Sequence, residues 1–63
     1  MNDFRQRMFD EHSQLIDRIN KLKSFLWGAL FNGLENGDKT LLIEQLGAMK
    51  AYEKALAERI SRL

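Results

Sequence analysis

Sixty-three residues without a cysteine make one small domain and exclude a disulfide framework or a thiolate metal site. Ten basic residues against nine acidic ones leave the chain nearly neutral, so no strong field for DNA or a membrane surface is implied. An ordinary core at this size rarely supplies more than about 3–5 kcal/mol. Association of several copies, burying more apolar surface per chain, is therefore the expected remedy.

Near the N-terminus, Asp3, Arg5, Arg7, Asp10 and Glu11 interrupt any apolar core of a secretory signal. No apolar run reaches the roughly 18 residues that a bilayer span requires. A soluble, intracellular protein is the expectation.

Phe4, Met8, His12, Leu15, Ile19, Leu22 and Leu26 step by fours and threes and predict a first helix over about 3–26. The seam is heptad-like and suits antiparallel packing. Asp3 is placed to cap the start, with Gln6 three residues on to complete a capping box. Asp17 and Lys21 form a favourably ordered i,i+4 pair.

A linker follows over 27–37, with a short helical turn around Ala29–Leu34. The stretch from Ser24 to Asn36 is the most apolar and aromatic part of the chain, with Phe25, Trp27, Leu30 and Phe31. Two helices cannot shield all of these, so they cap the bundle end or meet a second subunit. Asn36-Gly37-Asp38 reads as a turn ending in a helix N-cap.

The second helix is predicted over about 38–62. Leu42, Leu46, Met49, Leu56, Ile60 and Leu63 mark its apolar side. Two helices of nearly equal length around one short connection give an all-α fold, an antiparallel helical hairpin that assembles into a homo-oligomeric bundle. Glu58 and Arg62 are a second i,i+4 pair.

No catalytic constellation emerges, and an enzyme is not expected. The one histidine, His12, has no HExxH spacing and falls on the seam of the first helix, where a core or interface role is the simpler reading. Asp10, Glu11, Asp17, Glu44, Glu53 and Glu58 are scattered over presumed outer faces, and their spacing does not require any two to converge in a pocket. Gly28, Gly33 and Gly37 lack the strand, lysine and hydroxyl of a phosphate loop. No cofactor and no metal are implied.

A second stripe on the second helix is more informative. Leu41, Gln45, Ala48, Tyr52, Ala55 and Arg59 step by fours and threes, so Gln45, Tyr52 and Arg59 stack seven apart with alanines between. Tyrosine offers a stacking face, glutamine a donor and an acceptor, and arginine a planar fork for phosphate. A nucleotide-like ligand needs those groups, to which Lys21, Lys23, Arg5 and Arg7 could add phosphate contacts. Equally, an amphipathic Tyr and Arg would cover a small-residue groove between tightly packed helices, and spacing favours that simpler reading. Gly47, in mid-helix, costs about 1 kcal/mol against alanine, and a close neighbour, helix or ligand, would explain it. Phe9, beside the seam, is placed to stack on a base or on a partner subunit.

Leu22, Lys23, Phe25 and Leu26, followed by Leu41, Leu42, Gln45, Leu46, Ala48, Met49, Tyr52, Leu56, Arg59 and Ile60, form a pattern that covers nearly the whole chain, with the run from Gln45 to Tyr52 as its specific part. It resembles a phage-encoded helical hairpin family shared by the cyclic-oligonucleotide sponges that counter CBASS and Thoeris defence. The resemblance implies a viral protein in the cytoplasm of the infected bacterial host, assembled into a homo-oligomer, often of six chains. It would hold cyclic di- or trinucleotide messengers between protomers without cleaving them. The implied pocket combines an aromatic near the start of the first helix (Phe9 or His12), a lysine near its end (Lys21 or Lys23) and Arg59. Neither DNA nor a membrane is an implied partner. The alternative is an interaction module that docks on a host or phage protein through its aromatic linker.

Overall fold

The computed structural model describes residues 3–63. Its secondary structure there is all helical, with α1 over Phe4–Leu26, α2 over Ala29–Asn32 and α3 over Asn36–Ser61. α1 and α3 lie antiparallel along a body of 45 × 19 × 13 Å.

α1 starts where Asp3, in extended conformation, accepts the Gln6 backbone N–H on Oδ1 at 3.0 Å. The Gln6 side chain, expected to reach back over Asp3, donates forward to Asp10 Oδ1 at 3.0 Å. The Asp17–Lys21 pair closes at 3.0 Å between exposed side chains, where such pairs are worth little. At the C-terminus of α1, the Gly28 N–H donates to the Phe25 carbonyl at 3.0 Å. A Cβ on Gly28 would lie 3.3 Å from that same oxygen, so the tight exit favours glycine here.

α3 begins earlier than the turn-and-cap reading of Asn36-Gly37-Asp38 predicts. Glu35 is the extended N-cap residue, and Asp38 sits inside the first turn. There its carboxylate still faces the positive end of the helix dipole, so its stabilising role survives the change of position. Thr40 Oγ1 ties back to the Asn36 carbonyl at 3.0 Å. At the other end, no Glu58–Arg62 ion pair forms among the described residues. Arg62 is the C-cap residue, where its backbone N–H donates to the Arg59 carbonyl at 3.2 Å.

The core consists of Met8, Leu15, Ile19 and Leu56, with Leu46, Met49 and Ile60 packed against it. Among the described residues Leu56 alone is fully enclosed, at 0% exposure. Phe4, expected on the seam, is exposed. Counting outward from the His12–Glu53 contact, Phe4 comes level with Ser61, where α3 ends, so no helix remains to cover it.

Candidate functional site

The apolar side of α3 skips from Met49 to Leu56, and Glu53 fills the turn between them. It does not lie on an outer face. His12 Nε2 stands 2.8 Å from Glu53 Oε2 across the α1–α3 seam, with the two side chains 30% and 28% exposed. Two polar groups thus occupy facing core positions and satisfy each other, which leaves no buried polar atom without a partner among the described residues. A ligand reaching His12 would have to compete with Glu53 for Nε2.

Gln45, Tyr52 and Arg59 precede the seam residues Leu46, Glu53 and Ile60 and run along one exposed side of α3. Tyr52 is 46% exposed. Arg59 makes no ion pair among the described residues. Gln45 Nε2 lies 3.9 Å from Met49 Sδ, a weak contact that leaves the rest of the amide free.

Phe9, Ile16 and Lys23 instead follow the seam residues Met8, Leu15 and Leu22 on α1, and all three are exposed. Each step along a helix turns the side chain by about 100°. Because α1 and α3 run in opposite directions, residues that follow the seam on both helices share one side of the hairpin, and residues that precede it share the other. Phe9 and Lys23 are therefore on the side opposite Gln45, Tyr52 and Arg59. A single chain does not bring the predicted set together.

Arg18 precedes Ile19 and so shares the side of Tyr52 and Arg59; it is exposed and makes no ion pair among the described residues. It was absent from the sequence-based set, although its place one residue before the seam was a legible signal. Lys21, in contrast, has its charge engaged by Asp17.

Gly47 has no neighbour within 4 Å of where a Cβ would stand. The close neighbour expected from sequence is not found among the described residues. Gly47→Ala is expected to stabilise the isolated hairpin by about 0.5–1 kcal/mol in urea denaturation. A loss of stability in the assembled protein would mean that a second copy approaches this backbone.

At the turn end, Phe25 and Phe31 pack edge-to-face, 6.4 Å apart at 82°, and Lys39 Nζ lies 5.6 Å from the Phe31 ring centre. These two aromatics are occupied within the chain. Trp27 and Leu30 are not, at 90% and 78% exposure. An apolar groove of about 300 Å³ lies beside them, lined by Leu26, Trp27, Phe31 and Ile43. Among the described residues no cluster of His, Asp or Glu could hold a metal ion. No helix is long and apolar enough to cross a membrane.

A family model described as Sequestin matches residues 2–62. The chain is also 34% identical, over 59 residues, to a protein of Enterobacteria phage T4 named "Uncharacterized 7.5 kDa protein in denB-rIIB intergenic region". That alignment covers 94% of this chain and 92% of the relative. No solved structure matches the chain. The resemblance carried by the Gln45–Tyr52 run thus extends over both long helices, and the chain belongs to the Sequestin family.

Proposed function

We propose that this protein is a noncatalytic trap for cyclic di- or trinucleotide immune messengers, made by a phage and acting in the cytoplasm of the infected bacterium. It works as a homo-oligomer, of six chains by the resemblance, with its pockets between protomers. The family description supports sequestration in place of turnover, and the T4 relative supports a phage setting. The observation that carries the reading is the exposed row of Gln45, Tyr52 and Arg59 on one side of α3, with Arg59 in no ion pair among the described residues.

The chemistry of the row fits such a ligand. Tyr52 stacks on a base, Gln45 donates to and accepts from a base edge, and Arg59 grips a phosphate with its planar fork. Arg18 adds a second positive charge on the same side. Phe9 and Lys23, on the opposite side, contribute when a neighbouring copy turns that side toward the row. The ligand is then held by two chains at once, and its binding stabilises the assembly by mass action.

Titration calorimetry of the full chain against a panel of cyclic di- and trinucleotides tests this. Saturable heat is expected, with no more than one ligand per chain, because each pocket between neighbouring copies needs one row from one chain and the opposite side of another. No heat from any member of the panel would sink the proposal.

A second reading has one observation in its favour. The exposed Trp27 and Leu30 suit an interaction module that docks on a host or phage protein. Phe25 and Phe31, which the linker would have contributed, are already packed together. Pull-down from host lysate separates the two readings, because a trap needs no protein partner.

A further inference from the structure

The chain exposes 5042 Å². A compact monomer of 7.4 kDa would expose about 4,200 Å². The excess, about 800 Å², is close to what each partner buries in a standard protein–protein interface. The radius of gyration agrees: 14.6 Å, against about 11 Å for a compact chain of this length. The hairpin has the surface of a molecule missing its other half.

The turn end is where that missing half fits best. Trp27 protrudes at 90% exposure directly beside the apolar groove formed with Leu26, Phe31 and Ile43. One patch thus holds both a knob and a hole, which is the requirement for a contact related by a two-fold axis. The charges nearby are mixed in the same way. Lys23 and Lys39 stand near this end with Glu35 and Asp38, so two copies meet without a field of one sign. Among the described residues Trp27 and Leu30 are also the two most exposed large apolar side chains.

We propose that the turn end is a self-association surface, with Trp27 of each copy seated in the groove of a second copy. This inference rests on the homo-oligomer reading above and names one of its interfaces. Trp27 is the chain's single tryptophan, so its fluorescence reports this contact alone.

The test compares full-length wild type with Trp27→Ser and Ile43→Lys, both at exposed positions, with helix content checked by circular dichroism. Mass is measured by sedimentation, and wild-type tryptophan emission is followed over a dilution series. The expected result is a wild-type oligomer whose emission shifts to the red on dilution as the indole enters water. Both variants should keep their helicity and fall to half the wild-type mass or less. A wild-type oligomer with unchanging emission and variants of full mass would overturn this interface while leaving the homo-oligomer reading intact. A wild type that stays a folded single copy at every concentration would overturn both.

Discussion

Replacing Leu56 with alanine is expected to unfold the hairpin at concentrations where it stands alone. Among the described residues Leu56 is the one side chain with no exposure, and it packs with Met8, Leu15 and Ile19 in a core where none of the others is fully enclosed. Truncating a buried leucine costs about 2–5 kcal/mol, as lost transfer energy plus the cavity left behind. A core of this size supplies about 3–5 kcal/mol in total. The two figures are comparable, so the variant has little stability left. Thermal and urea denaturation followed by circular dichroism at low protein concentration measure this directly. Leu41→Ala, at an exposed position on the same helix, serves as the control and should move stability by no more than about 0.5 kcal/mol. If Leu56→Ala melts with the control, this contact is not the centre of the fold.

Arg59→Ala is expected to weaken cyclic-oligonucleotide binding by about tenfold to a hundredfold and to leave folding unchanged. A hydrogen bond to a charged group contributes about 1.5–3 kcal/mol, and a bidentate arginine–phosphate contact belongs to that class. Arg59 is exposed and makes no ion pair among the described residues, so its removal costs the hairpin only its favourable place in the last turn of α3, about 0.3–1 kcal/mol. Arg59→Lys separates charge from geometry. Lysine keeps the charge and loses the planar fork, so binding should recover only in part. Calorimetry with the tightest ligand of the panel gives the ratio, and an unfolding curve matched to wild type guards against a folding defect. Full affinity in Arg59→Ala would remove the row on α3 from the binding surface.

The two predictions probe different layers of the molecule, and those layers were not equally legible in the chain. The seam on α1 was readable because Met8, Leu15 and Ile19 recur at helical spacing with mostly polar residues between them. The family was readable because the Gln45–Tyr52 run is distinctive among amphipathic helices. Glu53 was misplaced on the outside for a definite reason. Hydrophobic periodicity scores a carboxylate as a surface residue, and only the partner helix reveals that His12 stands across from it. Asp38 was read as a cap because asparagine followed by glycine commonly marks a turn. In the structure both residues join α3 instead, with ordinary negative φ angles.

Taken alone, the sequence determined the two long helices, their amphipathic sides and the poverty of the core, because these follow from local spacing and composition. The tertiary structure decided which of the outward residues share a side. That depends on the antiparallel direction of α3 relative to α1, which places Phe9 and Lys23 opposite Gln45, Tyr52 and Arg59. It also decided which aromatics are spent inside the chain and which remain open. Phe25 and Phe31 found each other across the turn, and Trp27 found nothing within its own chain to cover it.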